Sequence, residues 1–137
     1  MLKTLLLDSS VYISGLNTKD SFHKLTKKFA IRLKNKEVDI IVPVLVVLEV
    51  ANILQQPAED VFYIFEDGLL INLDLSLIKE IIPLFKKIKL KTSDAVIAAT
   101  AKIYEAGIIS WDKKLVKESK KLVNAHTPEE YLQELRN

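Results

Sequence analysis

The sequence predicts an α/β fold in which a mostly parallel sheet carries helices on both faces. Short unbroken apolar runs recur at Leu5-Leu6-Leu7, Ile40-Ile41-Val42 and Ile108-Ile109, as expected of strands buried on both sides. Segments with helical apolar spacing stand between them, the alternation that builds a parallel sheet with crossover helices. Acids follow where two of these runs end, at Asp8 and Asp112. That is the carboxyl edge at which open α/β sheets take their ligands.

In chain order, Thr4-Leu5-Leu6-Leu7 reads as a central strand that delivers Asp8, Ser9 and Ser10. Asp20 or Ser21 caps a helix whose Phe22, Leu25, Phe29 and Leu33 keep helical spacing. Residues 38–42 form a second strand. Pro43, whose missing N–H would have no helical partner anyway, opens a helix to about Gln55 that is apolar nearly all round except for Glu49 and Asn52. Pro57 opens a short helix with Val61, Ile64 and Phe65, which Gly68 is expected to end in a left-handed cap. Residues 69–73 give a third strand, and Asp74 caps the helix that Pro83 kinks or breaks. A helix over 92–106 has Gly107 just past its end, and 108–110 is a fourth strand. A lysine-rich helical turn follows Asp112, and a short fifth strand is expected at 121–123. Thr127-Pro128-Glu129-Glu130 is a capping box that opens a helix through Leu135.

With 137 residues and 49% hydrophobic content, the chain has material for one core, and a single domain over 1–137 is expected. The absence of cysteine excludes disulfides, thiolate nucleophiles and cysteine-type zinc sites and makes a cytoplasmic setting the default. A net charge of +2 is too small to mark a nucleic-acid partner, so any such footprint has to be local. No apolar run approaches the length of a membrane span and the start lacks the features of a signal peptide, so a soluble protein is expected.

Four acids interrupt or abut apolar sequence: Asp8, Glu49, Asp94 and Asp112. Glu49 lies in Val44-Leu45-Val46-Val47-Leu48-Glu49-Val50, where an ionised carboxylate is costly unless something compensates it. Asp94 falls in the first turn of an alanine-rich helix, and Asp112 follows Ser110 by two residues. Each has a plainer reading: Asp8 and Asp112 as caps, Asp94 as a charge favoured at a helix amino end, Glu49 as half of an ion pair. If the first and fourth strands are neighbours, however, Asp8 and Asp112 meet across one crevice. An all-carboxylate cluster without His or Cys suits Mg²⁺ or Mn²⁺ and not zinc. Such an ion lowers the pKa of a bound water.

The order Leu6-Leu7-Asp8-Ser9-Ser10, Glu49-Val50-Ala51-Asn52, Ser93-Asp94-Ala95-Val96-Ile97-Ala98-Ala99-Thr100-Ala101 and Ser110-Trp111-Asp112 resembles the PIN domain. More narrowly it is similar to the VapC toxins of toxin–antitoxin pairs, and the closing Thr127-Pro128-Glu129-Glu130-Tyr131-Leu132 also resembles their usual ending. The resemblance implies a three-layer α/β/α sandwich with a parallel sheet of four to five strands in the order 3-2-1-4-5. It implies a Mg²⁺- or Mn²⁺-dependent endoribonuclease with Asp8, Glu49, Asp94 and Asp112 at the four acidic positions, where metal-bound water attacks the phosphodiester: Asp8 and Asp94 are then expected as direct ligands, Asp112 as a ligand or outer partner, and Glu49 as an outer ligand or water-orienting group. Ser110 matches a supporting hydroxyl position, and Ser9 or Ser10 the small polar residues after the first acid. A homodimer and a cognate VapB-like antitoxin are implied as partners. Trp111 is an unusual residue between Ser110 and Asp112.

An acidic site for a polyanion needs flanking cations, and Lys89 and Lys91 before Asp94 and Lys113 and Lys114 after Asp112 are the expected RNA contacts. Asn52, one turn after Glu49, can hold that carboxylate or a metal-bound water. Trp111 and Tyr12 can stack a base, with core packing the plainer reading. His23 and His126 read as surface residues. A phosphoacceptor receiver and a dehalogenase-like phosphatase also place an Asp after the first strand, but the further acids they require are serines here. The remaining alternatives are a catalytically silent PIN-like module that binds RNA or protein, and an RNA-processing PIN nuclease without an antitoxin.

Overall fold

In the computed structural model, which describes residues 4–135, the three leucines form the middle of the sheet. The elements run β1 (Thr4–Leu7), α1 (Ser9–Leu16), α2 (His23–Lys34), β2 (Asp39–Pro43), α3 (Val44–Leu54), α4 (Ala58–Ile64), β3 (Leu69–Ile71) and α5 (Leu75–Ile81). A 3-10 turn over Ile82–Lys87 follows, then α6 (Thr92–Ile103), β4 (Gly107–Ile109), α7 (Lys113–Ser119), β5 (Ala125–His126) and α8 (Pro128–Leu135). The five strands form one sheet in the order β3-β2-β1-β4-β5. All four pairings are parallel, so every connection crosses over through helix.

Because strand side chains alternate, β1 divides its leucines between two cores. Leu5 and Leu7 pack with Phe29 of α2 and Tyr131 and Leu132 of α8, the two rings meeting edge to face at 5.4 Å. Leu6 points the other way into Val46 and Val50 of α3, Leu77 and Ile81 of α5, and Ile97 and Ala98 of α6. The alanines at 98, 99 and 101, all fully buried, let α6 lie close on the sheet. These two cores make the three layers of an α/β/α sandwich.

Several elements depart from the sequence expectation. Residues 9–16, assigned no element there, form α1, with Asp8 as its cap. The helix placed after Asp20 begins at His23. Asp20 Oδ1 instead accepts from the Phe22 N–H in the turn before it. Pro43 closes β2 and caps α3 instead of opening it. Pro83 marks a change to 3-10 winding. The fifth strand is not at 121–123: the Leu122 and Val123 N–H groups both donate to Ser119 O in a turn, Leu122 is buried there, and pairing with β4 begins at Ala125.

The left-handed positions also differ. Positive φ occurs at Gln55 and Glu105, both at 54°, and at no glycine. At Glu105 the Ala106 N–H donates to Ala101 O and the Glu105 N–H to Lys102 O. These two bonds define a Schellman end to α6, with glutamate where glycine is usual. Gly68 serves close approach instead: a Cβ there would stand 2.6 Å from Val42 Cγ2, and Val42 is buried in the core. Gly68→Ala is expected to destabilise by about 1–3 kcal/mol through overpacking, read as a lower urea midpoint with unchanged slope.

Candidate active site at the carboxyl edge of the sheet

Register builds the centre of the site. Leu7 pairs with Ile109, so the next residues outward, Asp8 and Ser110, stand side by side just beyond the strands. The Asp8 N–H donates to Ile109 O at 2.9 Å, continuing the ladder one step. Asp8 is buried, 6% exposed as a residue, and every hydrogen bond to its carboxylate falls on Oδ2: Ser10 Oγ at 2.9 Å, Ser110 Oγ at 2.8 Å and the Ser10 N–H at 3.4 Å. Each serine oxygen also accepts from the following loop, Ser10 from the Trp111 N–H and Ser110 from the Asp112 N–H, both at 3.0 Å. Since each hydroxyl has a single proton and spends it on Asp8, the 3.3 Å approach of the two serine oxygens is contact within the network, not a further bond. The two serines thus clamp one oxygen of Asp8 and pin the Ser110-Trp111-Asp112 loop to it.

The other acids arrive on helices. Glu49 is half-buried on α3. Its carboxyl is raised above the usual range by burial first and then by the charges of Asp8 and Asp94, with the Ser9 hydroxyl and Lys91 acting the other way. Asp94, in the first turn of α6, is also raised, by burial first; Asp8 and Asp112 push further while Lys91 and Lys114 oppose. The four acids therefore share one local field. Asp112 caps α7, its Oδ1 accepting from the Lys114 and Leu115 N–H groups at 3.0 and 3.2 Å. Of the two serines after the first acid, Ser10 serves Asp8 and Ser9 serves Glu49.

Among the lysines, Lys91 Nζ lies 4.0 Å from Asp94 Oδ2 while remaining 72% exposed, and Lys114 acts on the same carboxylate. Lys113 lines a groove between α7 and α8 instead. The Lys89 N–H donates to Glu118 Oε1. Asn52 is exposed, and among the described residues no hydrogen bond joins its amide to Glu49; its carbonyl accepts from Gln55 Nε2.

A relay behind the loop escaped the sequence reading. The Trp111 ring stacks on Phe22 at 4.1 Å and 8°, and its Nε1–H donates to Thr26 Oγ1 at 2.8 Å. Ser14 spends its proton on Val11 O, so the 2.7 Å contact between Thr26 and Ser14 has Thr26 as donor. Thr26 and Ser14, both buried, thereby tie the loop to α1 and α2. Tyr12 meets Phe65 edge to face at 4.7 Å, and burial pushes its phenol up.

The donor set fits a hard divalent cation: carboxylates alone, two of them raised by burial and then by their acidic neighbours, with Asp8 held by one oxygen only. The acids are neighbours but not yet a closed ligand sphere. Among the described residues no three His, Asp or Glu side chains are grouped to hold an ion as they stand, in keeping with Asp112 being turned to α7.

The family model of the PIN domain matches residues 5–135, and the chain belongs to that family. Solved structures share its fold. FitAcB from Neisseria gonorrhoeae is 17% identical with TM-score 0.68, and a toxin–antitoxin complex from Klebsiella pneumoniae is 20% identical with TM-score 0.66. For both, the likeness covers 90% of this chain and 97% of the other. A Mycobacterium tuberculosis VapC toxin that cleaves the sarcin-ricin loop is 12% identical, with TM-score 0.63 over 81% of this chain and 92% of its own. A comparison with curated proteins finds no match. Among the described residues no helix is long and apolar enough to cross a membrane.

The raised carboxyls at Glu49 and Asp94 set a pH dependence for the metal-free protein. A carboxyl with a higher pKa folded than unfolded adds stability at low pH, and that contribution is lost as pH rises through the folded value. Glu49→Gln and Asp94→Asn are therefore expected to raise the melting temperature at neutral pH by a few degrees, with the gain disappearing toward pH 4. Scanning calorimetry across pH in a chelating buffer checks this.

Proposed function

We propose that this chain is a divalent-metal-dependent endoribonuclease of the VapC kind, hydrolysing RNA phosphodiester bonds at the crevice of Asp8, Glu49, Asp94 and Asp112. The observation that carries the reading is the shared field of the four acids. Burial first, and then the neighbouring acids, raise the carboxyls of Glu49 and Asp94, a cost that a divalent cation would relieve. Asp8, Asp94 and Asp112 would hold Mg²⁺ or Mn²⁺, which when bound lowers the pKa of water and offsets charge on the phosphate. Asp8 contributes a pre-set oxygen, because Ser10 and Ser110 fix the other. Glu49, steadied by Ser9, orients water on the α3 side. Lys91 and Lys114, beside Asp94, balance the approaching phosphate. The membership in the PIN family and the likeness to toxin–antitoxin structures support the reading.

Asp8→Asn is expected to lower metal-dependent cleavage of RNA a hundredfold or more, a loss of several kcal/mol of transition-state stabilisation. Mg²⁺ or Mn²⁺ should also raise the melting temperature of the parent chain and not of the variant. Cleavage by Asp8→Asn at the parent rate overturns the assignment.

The partners proposed with this function are a VapB-like antitoxin and a second copy of the chain. Leu48 and Ile53 of α3, Phe62 and Tyr63 of α4, Leu69 of β3 and Leu75 of α5 are all more than half exposed, apolar surface on the elements at the β3 side of the sheet. A homodimer through these elements is expected to become monomeric in Leu69→Lys/Tyr63→Lys, as measured by sedimentation, while the melting temperature stays close to that of the parent.

A further inference from the structure

We infer that the groove between α7 and α8 is the track for the single-stranded flank of the RNA whose scissile phosphate enters the carboxylate crevice. The inference rests on the nuclease reading and adds a second binding site to it. The groove measures about 520 Å³, and Lys113, Lys117 and Lys120 form one wall. They sit at i, i+4 and i+7 along α7 and its carboxyl cap, Lys120, and so share a face, in a row about 10 Å long. All three are exposed, and among the described residues none is within ion-pair distance of an acid.

The groove continues the crevice. β5 is the next strand outward from β4, and its carboxyl end leads into Thr127 and the start of α8, the opposite wall. The groove is thus the next position along the sheet edge that carries Asp8 and Asp112. The first turn of α7 joins the two places. Successive helical residues point about 100° apart, and Lys114 acts on Asp94 while Lys113 lines the groove.

Two carboxylates face the lysines across the groove, Glu129 and Glu130. Glu130 is already answered: its Oε1 accepts from the Thr127 N–H at 2.9 Å, and this bond above all holds its carboxyl below the usual range, with Lys120 contributing. Three cations against one unanswered acid, with the polar side chains of Thr127 and Gln133 beside them, suit a sugar–phosphate backbone read without regard to base.

The test is the double variant Lys117→Gln/Lys120→Gln, with Lys117→Arg/Lys120→Arg as the charge-keeping control. Binding of a single strand of roughly sixteen nucleotides and one of roughly four is measured across salt in the Asp8→Asn background, where no cleavage intervenes. The Gln variant is expected to weaken the longer strand several-fold, to reduce the salt slope by about 1.4 for the two charges lost, and to leave the short strand unchanged; the Arg variant behaves as the parent. With Asp8 intact, KM for the longer substrate rises while kcat holds. An unchanged slope, or equal losses on both lengths, overturns the groove. Absence of metal-dependent cleavage by the parent chain overturns the nuclease reading instead, and the binding slope still decides the groove.

Discussion

The buried carboxylate of Asp8 is the constraint on which the site depends. A charge on a buried residue at the end of a central strand is tolerable only when strong donors meet it. The parallel register of β1 on β4 supplies one by setting Ser110 beside it, and the start of α1 supplies the other through Ser10. Each serine oxygen, its proton given to Asp8, then accepts a loop N–H on a lone pair. The network therefore does two things: it holds Asp8 in one orientation, and it makes the position of Asp112 a consequence of strand pairing.

That arrangement concentrates repulsion where rigidity is greatest. Glu49 and Asp94 enter on helices from the Leu6 side of the sheet, anchored by Val46 and Val50 on α3 and by Ile97 and Ala98 on α6. Packing of this density does not yield to avoid a charge, so the cost appears as raised carboxyls instead of a splayed site. Perturbed carboxyls gathered at one crevice are the pattern by which functional sites are sought in a fold.

The sheet was legible because strands buried on both faces leave unbroken apolar runs, and β1, β2 and β4 have them. The acids were legible for the complementary reason, as charges that such runs should not contain. What was missed is local. α1 is short, with Val11, Ile13 and Gly15 weakening any helical signal. β5 has two paired residues, too few to show a pattern, while Leu122 and Val123 imitate a strand because a turn buries the first of them. The left-handed cap at Glu105 could not be read, since glycine is the residue that advertises it. The Thr26–Ser14 relay joins residues whose partners lie 12 and 85 positions away, a pairing that only the folded topology reveals.

Trp111 carries one more consequence. It is the chain's single tryptophan, flanked in sequence by Ser110 and Asp112 and fastened through its indole to α2. Ultraviolet emission from this chain thus arises beside the carboxylates, from a chromophore whose surroundings change with any shift of the loop. The protein carries its own optical gauge of the loop's position, with no label attached.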